Sequence, residues 1–474
     1  MKASIPLRRV LKSRISNATI SKSSLSDALP SISLFNSREF AYLASINIGG
    51  QNFIVSIDTG SSDLWVVSST CADADCLGVP SYSPSNSMTP TNTIFKLGYL
   101  TGNVLGNVAY DTVILGNFQV ASQVFGGSYR IFFHSCAYNL LAFVNQTTGI
   151  SLSSTGNSGI LGLSFPQQAS ISSNLGFNLI LNIFSNLDEQ SRLFGIRLGR
   201  GVNDSALTIG GHDLSLLPNV SQIRMFDVIP KSTKGSVVYD YWKLSLTGLL
   251  IIPDSVDFPL SPSKIPGASQ PIAVLDTGTT LILGPSKDVQ RLWKAVGGAR
   301  LGQDGNWQVP CNMALVLAFK FGDGGVFAVD PTDLSWSEDT TSDGWCLAGV
   351  QANDKVVGGD WLLGDTFMRN VYVEHYGATD TTGPRLGMLN LTDANSSLSA
   401  FTNSRGSGGY VIPTRLNLSS SLSDKISGFL TGSGQFVSLI IACVLGFLVG
   451  GLVTALVRSS LRALRRKRRK LRYM

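Results

Sequence analysis

An apolar run that ends in Asp-Thr-Gly and two small hydroxyl residues occurs twice in this chain, as "FIVSIDTGSS" and far downstream as "IAVLDTGTT". Each run reads as a buried β-strand by its branched apolar residues, entering a tight loop where glycine permits the reversal. One such loop is ordinary turn chemistry, because an Asp before Thr-Gly accepts hydrogen bonds from the backbone two residues on. Its recurrence points instead to two related halves, each delivering one aspartate, Asp58 and Asp276. Two carboxylates held close together in a water-poor cleft cannot both ionise easily, so they share one proton. One then serves as base and the other as acid. That pair can activate water against a peptide carbonyl and protonate the leaving nitrogen, with no metal and no covalent intermediate.

Further segments carry a resemblance to the pepsin-like aspartic proteases, running over roughly Tyr42 to Asn390. "YLTG", comprising Tyr99, Leu100, Thr101 and Gly102, resembles the family's active-site flap, and "SGILGLSFP" from Ser158 resembles the segment closing its first catalytic loop. "WLLGDTFMRNVYV" from Trp361 is similar to the counterpart in the second half, while "LTIGG" at Leu207 and "YWKL" at Tyr241 fall where the second lobe begins. The resemblance implies an all-β, bilobal fold with a cleft between lobes, and an endopeptidase that cuts extended peptides flanked by hydrophobic side chains at acidic pH. It makes Asp58 and Asp276 the dyad. Thr59 and Thr277 brace the loops at Gly60 and Gly278, Ser61 and Thr279 hydrogen-bond the carboxylates, and Tyr99 caps substrate while reaching toward Trp65. It also implies the disulfides Cys71 to Cys76 and Cys311 to Cys346, leaving Cys136 and Cys443 without an obvious partner. This cysteine usage points to an oxidising compartment.

Four departures stand out. Leu100 replaces the flap glycine, which is expected to stiffen the tip or change its backbone angles. Ser158 replaces an acid, His375-Tyr376 stands for Phe-Asp, and the first strand's Gly-Thr-Pro is shortened to "IGGQ" at Ile48 to Gln51. These bear on substrate preference and efficiency. The alternative reading is a catalytically silent relative that uses the same cleft to bind a protein or glycan.

The net charge of +6 conceals three regions. Arg458 to Met474 carries nine Lys and Arg and no acid, so everything before it sums to −3. The first 38 residues hold a surplus of +6, leaving a middle that is acidic by nine charges. A nucleic-acid partner is therefore not expected. The basic start, "ASIPLRRVLKSR", resembles the opening of the propeptides that keep this family inactive; the alternative is a Ser-rich basic tail. A basic segment over an acidic cleft is held by charge at neutral pH and released as carboxylates protonate. Metal and cofactor are not expected, since His134, His212 and His375 are scattered without ligand spacing.

The expected organisation is a pro-segment at 1–38, catalytic lobes at 39–205 and 206–390, a flexible Ser/Thr-rich stalk at 391–435, a transmembrane helix at 436–457 and a basic cytosolic tail at 458–474. The span "FVSLIIACVLGFLVGGLVTALV" is uncharged over the length of a bilayer-crossing helix, and its basic flank belongs on the cytosolic side. That tail argues against a glycolipid anchor. The catalytic body, expected to be monomeric, is then extracellular or lumenal, at the plasma membrane or a vacuole-like compartment. Glycosylation sequons begin at Asn17, Asn145, Asn203, Asn219, Asn390, Asn395 and Asn417. The ectodomain, stalk and anchor resemble the layout of fungal surface proteases. The first residues hold no apolar signal-peptide core. Three explanations stay open: a signal upstream, which is the preferred expectation, one already removed, or a tail anchor with the body in the cytosol.

Overall fold

The computed structural model describes residues 41–121, 140–148, 150, 152–201, 204–216, 220–233, 236–336 and 344–407, with two short strands, Ala3–Leu7 and Ile32–Asn36. Strands dominate it, and the longest helices among the described residues are Ser286–Val296 and Ala394–Arg405. The first half is a ten-stranded sheet that runs from Ile32–Asn36 to Gly159–Gly162. The second contains an eight-stranded sheet, including Lys243–Ile252, Ile272–Leu275 and Trp361–Leu363, and a separate four-stranded sheet. A six-stranded sheet draws on both halves. Its order is Ala3–Leu7, Ser205–Ile209, Leu193–Arg197, Val371–Tyr376, Arg385–Asn390 and Arg224–Asp227. This mostly-β architecture of several sheets is consistent with the expected bilobal fold.

The shortened "IGGQ" makes a two-residue hairpin between Tyr42–Ile48 and Gln51–Asp58, with Ile48 paired to Gln51. Gly49 and Gly50 take φ of +57° and +83°, the handedness that lets such a tight turn follow the twist of its strands. The hairpin delivers Asp58 as the last residue of its second strand.

Two structural facts bear on the expected organisation. The boundary at 205/206 falls inside Ser205–Ile209, a strand that pairs with Leu193–Arg197 and belongs to the sheet shared by both halves. The stalk at 391–435 does not begin as flexible chain either. Asp393 caps the helix Ala394–Arg405 by accepting a hydrogen bond from Ser396 N, Phe401 is buried, and Arg405 Nη1 donates to Ser335 O at 2.9 Å. Ala394 and Leu398 also pack against the buried Val316, Ala318 and Ala328, so a segment whose composition reads as a linker docks on the body.

Among the described residues, no helix is long and apolar enough to cross a membrane. The span at 436–457, the tail at 458–474, Cys136, Cys443 and the sequons at Asn17, Asn203, Asn219 and Asn417 lie outside the described residues. Of the other sequons, Asn390 and Asn395 are exposed and Asn145 is half-buried. Both expected disulfides are present, Cys71 to Cys76 and Cys311 to Cys346, with Cα separations of 6.1 and 4.9 Å.

Candidate active site

Each Asp-Thr-Gly loop is held by a parallel strand from its own half. Gly159–Gly162 runs parallel to Gln51–Asp58, placing Gly162 beside Asp58, and Leu163 N then donates to Asp58 O at 2.8 Å. In the second half Trp361–Leu363 runs parallel to Ile272–Leu275, Asp276 N donates to Leu363 O, and Asp365 N donates to Thr279 O at 2.8 Å. The segments "SGILGLS" and "WLLGDTF" are thus the straps of two matching loops, fixed in their sheets by buried Leu161 and Leu163 in the first and by buried Trp361, Leu362 and Leu363 in the second.

The loops lock to each other through their threonines. Thr59 N donates to Thr277 Oγ1 at 3.1 Å and Thr277 N to Thr59 Oγ1 at 3.0 Å. The hydroxyls in turn donate across the pseudo-symmetric junction, Thr59 Oγ1 to Leu275 O at 3.0 Å and Thr277 Oγ1 to Ile57 O at 2.8 Å. Both threonines are buried, so each lost partner would leave a dehydrated amide or carbonyl, at about 1–3 kcal/mol apiece.

The two carboxyls have matching partners. Asp58 Oδ1 accepts from Gly60 N at 2.8 Å and Oδ2 from Ser61 Oγ; Asp276 Oδ1 accepts from Gly278 N at 2.8 Å and Oδ2 from Thr279 Oγ1 at 2.7 Å. Asp58 and Asp276 are 5% and 6% exposed, enough to touch the cleft and too little to be freely solvated. Burial first, and then the neighbouring Asp276 carboxyl, raise the Asp58 pKa far above the ordinary carboxylate range. Such a pair keeps one proton between its members well above the pH at which a free aspartate loses its own.

The two glycines matter for close approach. A Cβ on Gly60 would lie 2.4 Å from Asp276 Oδ1, and one on Gly278 the same distance from Asp58 Oδ1. Gly278→Ala is therefore expected to displace the opposing carboxyl and lower kcat by at least about 100-fold, since misplacement of about 1 Å has that cost. Steady-state kinetics beside a thermal melt checks it; a variant that melts normally and keeps its kcat would remove the steric argument.

The flap is the hairpin of Thr89–Gly98 and Asn103–Tyr110, whose tip is closed by Tyr99 N donating to Gly102 O at 2.7 Å. Tyr99 OH accepts from Trp65 Nε1 at 2.7 Å, and the two rings lie 6.5 Å apart. None of Tyr99, Leu100, Thr101 and Gly102 has a positive φ, so Leu100 sits in backbone that any side chain can adopt. Its side chain is 53% exposed. Tyr99, Leu100, Thr101, Asp58, Gly60, Ser61, Asp276, Gly278 and Thr279 all line one cleft of about 720 Å³. Trp65 and the two bracing threonines stand behind it. The disulfide cysteines and the described sequons at Asn145, Asn390 and Asn395 are not among its lining residues.

Of the buried carboxyls that the sequence reading did not single out, two belong to the catalytic loops or their straps. Asp63 accepts from Ser170 N and Ile171 N, and burial raises its pKa to about 6. Asp365, on the strap of the second loop, is fully buried with no hydrogen-bond partner for either oxygen among the described residues, and burial pushes it well above the usual range. The segment "WLLGDTF" contained it, but an Asp that opens a one-turn helix, Asp365–Met368, gives no local sign of its depth. The altered pair His375-Tyr376 is structural. His375 stacks on Phe194 with centroids 4.3 Å apart, and Tyr376 OH donates to Glu374 Oε2.

Residues 41–385 match the family model described as eukaryotic aspartyl protease. This chain belongs to that family. The major aspartyl peptidase 1 of Cryptococcus neoformans is 28% identical over 351 residues, covering 70% of this chain, which spans 65% of that protein's length. Rat cathepsin E is 29% identical, with 72% of this chain and 78% of that protein covered. Embryonic pepsinogen of Gallus gallus is 30% identical, with 75% and 82% covered. These relatives are named as peptidases or a pepsinogen, and their family places this chain among hydrolases of protein or peptide substrates.

Proposed function

We propose that this chain is an aspartic endopeptidase active at acidic pH, made with an inhibitory pro-segment at 1–38 and anchored by a helix at 436–457. The observation that carries the reading is the facing pair Asp58 and Asp276, each oriented by a glycine amide and a hydroxyl and shielded from bulk water. With one proton on the pair, the ionised carboxyl takes a proton from a water as its oxygen attacks the peptide carbonyl carbon. The protonated carboxyl gives its proton to the carbonyl oxygen. Breakdown of the tetrahedral diol breaks the C–N bond, the amine nitrogen takes the proton received from water, and the diol returns the other. Tyr99 and Leu100 cover the substrate, and Trp65 holds the Tyr99 hydroxyl.

The pro-segment is supported by its charge and by Ala3–Leu7, which pairs antiparallel with Ser205–Ile209 at the edge of the shared sheet. The anchor is supported by the uncharged run and the basic residues after it. On this reading the catalytic body lies on the extracellular or lumenal side, with the tail in the cytosol.

The test is cleavage of a quenched peptide library between pH 3 and 7 by the full chain and by a chain beginning at Arg38. Cleavage confined to the acidic range, with faster onset in the shorter chain, is expected. Equal onset in both, each shown to be folded, would remove the pro-segment from the reading. Absence of cleavage in both would remove the protease.

A further inference from the structure

The cleft wall contributed by the first half mixes apolar Leu97, Ile150, Leu152 and Ile160 with polar Ser56, Thr155 and Asn157. At one place a polar pair bridges the two halves. Tyr241 OH donates to Gln168 Oε1 at 3.1 Å, a contact between residues from the two halves, and both side chains line the cleft. Among the described residues neither side chain makes another hydrogen bond, so the amide NH2 of Gln168 and the lone pairs of the Tyr241 oxygen are left for whatever enters.

The pair is held in place. A Cβ on Gly358 would lie 2.4 Å from Tyr241 Cδ2, so the loop carrying Gly358 packs directly on the ring, and Gly358 keeps a φ of +76°. Next to it Val357 is 63% exposed and lines the same cleft. The phenol keeps its proton across any working pH. Burial, then Asp240, then the two dyad carboxyls raise it to about 12, which also sets Tyr241 within electrostatic reach of Asp58 and Asp276.

We propose that Gln168 and Tyr241 form a subsite for a carboxamide side chain, Gln or Asn, at one position of the bound peptide; the inference rests on the endopeptidase reading above. The argument is one of matching donors and acceptors. The pair offers amide N–H donors beside an acceptor oxygen, and a carboxamide is the side chain that presents an acceptor beside a donor. If the Gln168 amide is turned over, its oxygen becomes the acceptor and the Tyr241 hydroxyl the donor, and the complement is again a carboxamide. An apolar side chain of equal length would dehydrate both polar groups without replacing their bonds, and sites of this type reject such analogues strongly.

The experiment compares peptides that are identical except for Gln or Met at each position around the cut, using the full chain, Gln168→Leu and Tyr241→Phe. In the parent one position is expected to favour Gln over Met in kcat/KM by about tenfold, the weight of one hydrogen bond. Each variant is expected to bring that ratio close to one. A parent with no such position, or variants that leave the ratio unchanged, would overturn the subsite. The same peptides are titrated by fluorescence anisotropy onto the chain carrying Asp276→Asn, with and without Gln168→Leu. If the parent cuts nothing, the endopeptidase reading fails, and the Gln-to-Met affinity ratio in this second measurement still decides the subsite.

Discussion

Asp276→Asn is expected to lower kcat on any cleavable peptide by about 10⁴-fold or more, with Asp58→Asn equally inactive. Neither carboxyl can be spared, because the pair supplies base and acid to the same turnover, and general acid and base catalysis each carry about 10²–10⁴-fold. The two single variants and the double variant are expected to be alike, since groups acting as a unit do not add. The amide keeps the shape of the site: its oxygen can still accept from Gly278 N, and its NH2 can donate to a Thr279 hydroxyl that turns to accept, so the fold should survive. The measurement is single-turnover cleavage from pH 3 to 7 alongside a thermal melt. Retained activity in a folded variant would sink the dyad. Silence in the parent as well, after folding and pro-segment removal are verified, would favour a binding role for the cleft.

Stability is expected to fall as pH rises from about 6.5 to 8. Asp58 and Asp365 both have their pKa values raised by burial, from a reference near 3.8, so the native state holds protons that the unfolded chain has already released. With the native state binding more protons, raising the pH favours unfolding, by about 1.4 kcal/mol per pH unit for each proton retained. Asp63 contributes in the same direction, but only between about 4 and its own value of about 6. Below 6.5 an opposing group enters. Burial lowers His375 from 6.5 to about 3, so there the unfolded chain gains a proton that the native state refuses, and stability rises with pH. The window above 6.5 is therefore the clean one. Urea midpoints of the full chain at pH 6.5, 7.25 and 8 test it, and Asp365→Asn should flatten the slope. A flat or rising series would show that these carboxyls are already ionised in the native state.

The parts legible in the sequence were those whose physics is local. Asp58-Thr59-Gly60 and Asp276-Thr277-Gly278 carry their chemistry in consecutive residues, because the carboxylate, the amide two positions on and the hydroxyl three positions on close one turn. The flap at Tyr99 to Gly102 was readable only through its resemblance to the family's. Cys71 and Cys76 bracket one short loop, while the pairing of Cys311 with Cys346 came from the resemblance. Leu100 was legible only as a change of residue type; the backbone angles of the tip that carries it came from the structure.

What the sequence by itself determined was therefore two Asp-Thr-Gly loops, a β-rich body and the charge layout, all fixed by residue order and short-range geometry. Tertiary structure alone decided that Thr59 and Thr277 exchange hydrogen bonds across halves, and that Gly60 and Gly278 leave room for the opposing carboxyls. It also decided that Asp63 and Asp365 are buried acids, that Ala394–Arg405 docks as a helix, and that Gln168 meets Tyr241. Each of these depends on which distant segment covers a group and removes its water, and burial of that kind is set by packing between residues far apart in the chain.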